Sequence, residues 1–415
     1  MINFLNGFVN SPKITKFEGK IRRINKVNFI IMSCVKYIGV DDPDIDLFES
    51  QYIVPEGMCY NSYLIEDQQI AIMDTVDARK TGEWLENVKK ALAGRTPQYL
   101  IVQHMEPDHS GSIAALTEAY PNVTIVASAK AIQFMGQFFE GKTFTTKAVG
   151  EGDTLSLGNN TLRFFTAPMV HWPEVIVTYL ESEKTLFSAD GFGKFGVYGA
   201  DPDDWACEAR RYYFNICGKY GAQVDALLRK ASALTIEKIC PLHGPVLEND
   251  LLKEAIRLYS IWCKYDVETP GGVLVAYASI HGGTRAAAEA IAASLSAKGA
   301  TKVAITDLSR DDVAEAIEDA FRMESMVLAC ATYDGGIFPP MHNFLHKLSI
   351  KGYQRRRVGL IENGTWAPQA ARIMREMLEK MKAVEIVEPV VTIKSRMKEA
   401  DKPQIEALAE AIVRK

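Results

Sequence analysis

The sequence predicts an α/β protein of two domains in series, a layered αββα sandwich followed by a doubly wound, five-stranded parallel sheet. Three observations predict this. The chain has 415 residues, more than a single core of ordinary size holds. Up to about residue 267, short apolar runs recur between Gly, Asn, Asp and Pro, the pattern of strands and turns. Beyond it, five apolar strands alternate with helical segments, which demands crossover connections and hence parallel pairing. The expected division is a basic extension over 1–30, a first domain over 31–267 and a second over 268–415.

The extension carries Lys13, Lys16, Lys20, Arg22, Arg23 and Lys26 against one acid, Glu18. It has no apolar core followed by a small-residue cleavage site, so it reads as a surface extension and not a secretion signal. A strand over 27–35 follows. The runs "NSYLI", "QIAIMD", "YLIVQH", "NVTIVAS", "LRFFTAP", "VIVTYL" and "TLFSAD" are further strands, and 81–93, 112–120, 205–231 and 250–264 are helical. Pro270 with Gly271 and Gly272 marks a linker over 266–272. In the second domain, "GVLVAYAS", "KVAITDL", "SMVLACATY", "RVGLIEN" and "VEIVEPVVTI" are strands. The helices between them cover 284–298, 311–321 (capped by Ser309), a segment opened by Pro340, 368–381 and 403–413.

Composition narrows the function. Charge is -5 with a pI near 5.9, which gives no reason to expect a nucleic-acid or membrane partner. No apolar run approaches the roughly 18 residues that span a bilayer. The seven cysteines are scattered and form no Cys-x-x-Cys, as expected of a reducing, cytoplasmic compartment without structural disulfides.

The stretch "QHMEPDHSGS" places His104, Glu106, Asp108 and His109 directly after an apolar strand. Alternation of these types in a tight loop lets several side chains enter one cavity. His171 in "APMVHWPE", Asp190 in "LFSADGFG" and His243 in "CPLHGPV" also follow apolar strands, and α/β folds build sites at strand ends. Four imidazoles and three carboxylates suit two metals sharing one carboxylate. Asp190 is the natural bridge, lying alone between two His-bearing segments. The pattern resembles the metallo-β-lactamase fold, whose usual motif is His-x-His-x-Asp-His, but Glu106 stands at the second His. A harder, more anionic donor set without thiolate favours iron over zinc.

The second domain has flavodoxin-like order. Ser279, Ile280, His281, Gly282, Gly283 and Thr284 lie between its first strand and helix, where backbone N–H groups and hydroxyls can wrap a phosphate. Thr332, Tyr333, Asp334, Gly335 and Gly336 follow the third strand. Asn363, Gly364, Thr365 and Trp366 follow the fourth. All three loops belong to the carboxyl edge, at the reversal of strand order. Aromatics there can pack on a flat ring, and the reading is an FMN site.

On "HMEPDHSGS", "APMVHWPE", "LFSADGFGKFG", "CPLHGPV", "TYDGGIFPPM" and "NGTWAP" the chain resembles the flavodiiron proteins, from about Val35 to its C-terminus. The resemblance implies a non-haem diiron site and FMN. One iron would take His104, Glu106, His171 and Asp190. The other would take Asp108, His109, His243 and the shared Asp190. The family reduces O2 to water or NO to N2O. With no fused rubredoxin-like or flavin-reductase module expected here, an external donor such as rubredoxin would supply electrons. It also implies a head-to-tail homodimer, FMN of one subunit facing the diiron site of the other. Members often carry a His after the Phe of "DLFES", where this chain has Glu49, so the resemblance leaves O2 against NO open. Glu49, Tyr52 and Trp172 are further pocket-lining candidates. Two alternatives remain: a dizinc hydrolase with an appended flavodoxin domain, and an electron carrier with a vestigial metal site.

Overall fold

The computed structural model describes residues 34–200 and 204–414. The basic extension over 1–30 and most of the strand expected over 27–35 lie outside the described residues.

Two six-stranded sheets face one another in the first domain. The first runs in the order Val35–Tyr37, Tyr63–Ile65, Ala71–Met73, Tyr99–Val102, Thr124–Ser128, Thr146–Val149. The second runs Thr154–Ser156, Thr161–Thr166, Ile176–Leu180, Thr185–Phe187, Lys238–Cys240, Leu247–Glu248. The inner strands, such as Tyr63–Ile65, Ala71–Met73, Ile176–Leu180 and Thr185–Phe187, are buried on both faces because each sheet is covered twice there. Alternate residues such as Ile65, Met73, Ile101 and Val126 meet Phe164, Ile176 and Phe187 between the sheets. The intervening Leu64, Ile72, Leu100 and Ile125 pack outward with Trp84, Val88 and Leu116 of the covering helices. That period of two is the strand's own.

The second domain has the parallel order Lys302–Asp307, Thr269–Ala278, Met323–Tyr333, Arg357–Asn363, Glu385–Ile393. The direction of winding reverses between Thr269–Ala278 and Met323–Tyr333. A two-residue strand, Gly336–Ile337, folds back onto Tyr333.

Several local expectations need correction. Residues 104–110 are not wholly loop, because Pro107 opens a helical turn, Pro107–Ser110. The helix expected over 205–231 is two, Trp205–Ile216 and Gly221–Ala231, parted at Gly218. Strand Thr269–Ala278 includes Pro270 and Gly271 of the expected linker. Asp312, not Ser309, caps the helix Val313–Arg322, its Oδ1 accepting the Ala314 amide at 2.9 Å. The domains are pinned by charge and aromatic packing. Arg210 donates to both oxygens of Glu268, at 2.6 and 2.7 Å, and to Glu318 at 3.3 Å, while Phe214 stacks on Phe321 at 4.5 Å. Among the described residues no helix is long and apolar enough to cross a membrane.

Candidate metal and flavin centres

The seven side chains expected at a metal site, spread over 140 residues of sequence from His104 to His243, converge in one buried place. His104, Glu106, His171 and Asp190 form one group and Asp108, His109 and His243 another, the donor atoms of each lying within 4.8 Å of one another. Strand Tyr99–Val102 delivers the first four residues, partly through the turn Pro107–Ser110. Asp190 and His243 follow the adjacent parallel strands Thr185–Phe187 and Lys238–Cys240, so strand pairing fixes their spacing.

Asp190 faces both groups. Its Oδ2 lies 3.3 Å from His104 Nε2 and 3.0 Å from His171 Nε2. Its Oδ1 lies 3.1 Å from His109 Nε2 and 3.8 Å from His243 Nε2. Burial opposes ionisation of Asp190, yet His104 and His109 hold its carboxyl well below the usual range. Burial likewise opposes charge on the imidazoles. Asp190 nevertheless holds His104 well above its ordinary value. Asp108 and Asp190 take His109 to about 10, and Asp190 with Glu106 takes His171 to about 9.

These groups fit metals better than one another. His109 Nε2 and His243 Nε2 point at each other across 3.1 Å. Among the described residues, both oxygens of Asp108, both of Asp190 and His171 Nε2 are buried with no well-aligned hydrogen bond. Buried polar atoms of folded proteins are normally satisfied, and inward-pointing lone pairs around one point are what a metal satisfies.

Neighbouring groups orient the donors. Glu174 Oε1 accepts from His104 Nδ1 at 2.8 Å and from the Met105 amide at 2.9 Å. His243 Nδ1 donates to the Cys59 carbonyl at 2.7 Å. In each ring this leaves Nε2 for a metal. Asp74 receives Gln103 N at 2.7 Å and Gln103 Nε2 at 2.9 Å, fixing the residue before His104. Asn61 Nδ2 clamps the His243 loop through the Pro241 and Gly244 carbonyls. None of Glu174, Asp74 and Asn61 was expected from the sequence. Glu174 alone left a trace, as the acid that closes "HWPE".

A cavity of about 280 Å³ opens beside His171, with Glu49, Trp172, Asn215 and Lys351 among its walls. Trp172 stands edge-on to His104, centroids 5.2 Å apart at 90°. Glu49 is exposed at the rim. Its carboxyl is pushed up to about 7, first by the desolvating cavity mouth and then by the charge of Glu106. Tyr52 differs from expectation. It is 3% exposed and donates to the Asn215 carbonyl at 3.1 Å, so it packs the wall behind the cavity.

In the second domain the three loops also converge. Asn363 Nδ2 donates to Thr284 Oγ1 at 3.3 Å, and Thr332 Oγ1 accepts from the Gln369 and Ala370 amides at 3.0 and 3.2 Å. Gly282 precedes the helix Gly283–Ala297 at φ 84 with nothing above its Cβ position. Ser279 Oγ accepts its amide at 3.1 Å. Tyr333, Ile280 and Trp366 stand exposed, Trp366 by 81%. A helix N-terminus rimmed by open apolar faces fits a phosphate-bearing flat ring. A fourth loop, missed in the sequence, joins them. The Ser395 amide donates to Asn363 Oδ1 at 3.0 Å, and Ser395 Oγ lies 2.9 Å from Thr365 Oγ1.

Comparison with known proteins gives the same two parts. The model of the ODP family of β-lactamase domains matches residues 58–244, and the flavodoxin model matches 275–407. The rubredoxin-oxygen oxidoreductase of Megalodesulfovibrio gigas is 27% identical over 91% of this chain and 95% of its own. The solved structure of the Desulfovibrio gigas enzyme superposes with a TM-score of 0.86 at 26% identity, covering 92% of this chain and 97% of that one. The anaerobic nitric oxide reductase flavorubredoxin of Aliivibrio fischeri is 27% identical over 81% of this chain and 69% of its length. The flavodiiron protein of Giardia intestinalis shares the fold, with a TM-score of 0.86 at 23% identity over 92% of this chain and 96% of that one. Two converging donor groups in a β-lactamase-like domain, joined to a flavodoxin-like domain and matched along nearly the whole described chain, make this an oxidoreductase of the flavodiiron family, whose cofactors are FMN and a diiron centre.

Proposed function

We propose that the chain reduces O2 to water, NO to N2O, or both, at two irons that would share Asp190 as a ligand. One iron would be held by His104, Glu106 and His171, the other by Asp108, His109 and His243. The division of the Asp190 oxygens between two groups of donors is the observation that carries this reading. FMN would lie on the loops Ser279–Thr284, Thr332–Gly336 and Asn363–Trp366, with the boundary between domains near residue 268. When bound, the irons and flavin supply the redox chemistry, four electrons for O2 and two for a pair of NO.

The chain's own groups do the rest. Glu174 and the Cys59 carbonyl hold His104 and His243 in the tautomer that presents Nε2. Trp172 walls His104 from water, and the cavity beside His171 has room for a diatomic substrate. Glu49 on its rim is the acid nearest neutrality there.

The donor would be rubredoxin or a similar small carrier, because the Megalodesulfovibrio relative is named for it. Exposed Trp366 and Tyr333 favour a head-to-tail homodimer that covers the flavin edge, and free cysteines favour a cytoplasmic setting. The test supplies reduced rubredoxin to anaerobically prepared holoprotein and follows O2 and NO consumption separately. Donor-dependent consumption of either gas is expected. Hydrolysis of a β-lactam or thioester without a donor, and no gas consumption, would overturn the reading.

A further inference from the structure

A column of aromatic rings leads away from Asp190, Tyr and Trp beyond its first member, and neither metal holding nor flavin binding accounts for it. Two residues beyond Asp190, the Phe192 amide donates to Tyr259 Oη at 2.6 Å, and the two rings stack at 4.1 Å and 23°. Tyr259 lies 5.3 Å from Trp262, and Tyr213 lies 5.0 Å from Tyr259 and 5.3 Å from Trp262. Trp262 then stacks on Trp205 at 6.4 Å and 16°. All four of these Tyr and Trp residues are at most 3% exposed.

Packing alone does not call for these residue types. Among the described residues, Tyr213 Oη and Trp205 Nε1 are buried with no hydrogen-bond partner. Burying a polar atom without a partner costs stability, and a purely apolar side chain would carry no such atom. Phenol and indole have what Phe lacks, a ring that gives up one electron at accessible potential. One member also has a place for its proton. Trp262 Nε1 donates to Glu268 Oε2 at 2.6 Å. Glu268 is gripped by Arg210, and its side chain is 12% exposed to solvent.

We propose that the pair Tyr259–Trp262, tied to the Asp190 segment through the Phe192 amide and with Tyr213 and Trp205 beside it, drains oxidising equivalents from the diiron centre when electron delivery lags behind O2. The inference rests on the O2-reducing reading above. In the step, one electron passes from Trp262 by way of Tyr259 to the over-oxidised metal centre. The indole N–H bond breaks and its proton goes to the Glu268 carboxylate, leaving a neutral tryptophanyl radical. The enzyme's one-electron donor then returns an electron, and Glu268 returns the proton. The histidine ligands are thereby spared oxidation.

The test uses holoprotein reduced without excess donor, mixed with O2, freeze-quenched and read by electron paramagnetic resonance. An organic radical whose lines narrow in protein carrying ring-deuterated tryptophan is expected; a flavin radical does not respond to that label. The label-sensitive signal should disappear in Trp262→Phe, and repeated turnover should strip iron from that variant several-fold faster than from wild type. If Trp262→Phe fails to fold, labelled wild type and Trp205→Phe carry the test, the latter changing the line shape or lifetime. Normal O2 consumption with no label-sensitive radical, or an unchanged signal in Trp262→Phe, overturns the relay alone. Absence of O2 consumption in iron- and flavin-loaded protein overturns the functional reading with it.

Discussion

Glu174 reaches back to His104, one carboxylate oxygen receiving both the imidazole Nδ1 at 2.8 Å and the Met105 amide at 2.9 Å. The contact sets the tautomer of a metal donor and the path of the chain that delivers the next one. Replacing such an orienting group typically weakens metal binding by about 10–100-fold. Glu174→Gln is therefore expected to lose iron affinity in that range while keeping its fold. Iron retained against a graded chelator, with circular dichroism as the control, measures it.

Asp190→Asn tests the shared carboxylate. The amide nitrogen that replaces one oxygen cannot serve the group it faces, so one or both irons should be lost. FMN content should not change, because the flavin loops lie in the other domain. Iron and flavin counted on the same sample decide it, and full iron occupancy would refute the bridge.

Gly283→Ala probes the flavin loops. A Cβ there would stand 2.2 Å from the Ser395 carbonyl oxygen and 3.0 Å from Asn363 Nδ2. Overpacking of this kind costs about 1–3 kcal/mol, and about 1.4 kcal/mol is tenfold in affinity. FMN should bind about tenfold more weakly or worse, with iron unchanged, as read by flavin fluorescence on release.

Lys351 gives a pH signature. Its ammonium donates to the Asn215 carbonyl at 2.6 Å across the domain boundary. Burial, and then the charge of Lys347, lower it to about 8. The unfolded chain holds this proton more tightly than the folded one, so the penalty is complete below pH 8 and is relieved as pH climbs towards 10.5. The stability of wild type relative to Lys351→Met should rise across that window, by at most about 1.4 kcal/mol per pH unit. Denaturation of both proteins from pH 7 to 10 would reveal the slope, and parallel profiles would contradict it.

What the sequence made legible was residue chemistry tied to strand ends. His104, Glu106, Asp108 and His109 crowd one short segment, and His171, Asp190 and His243 each follow an apolar run. The parallel sheet was legible because near-continuous apolar runs alternate with helical segments. Glu174, Asp74 and Asn61 were not legible, since a single acid or amide gains its role only from a partner brought near by folding. The Ser395 loop was hidden for the same reason, carrying no Gly-rich or aromatic cue. Tyr52 misled because a Tyr near a site reads the same whether its face lines the cavity or backs it. Asp312 displaced Ser309 as a cap because tertiary packing, with Arg211 holding its carboxylate, chose between two good capping residues.

Metal and flavin analysis of anaerobically purified protein bears most directly on the diiron and flavin assignment. About two irons and one FMN per chain are expected from the two donor groups around Asp190 and the flavin loops. Stoichiometric zinc without iron would contradict it.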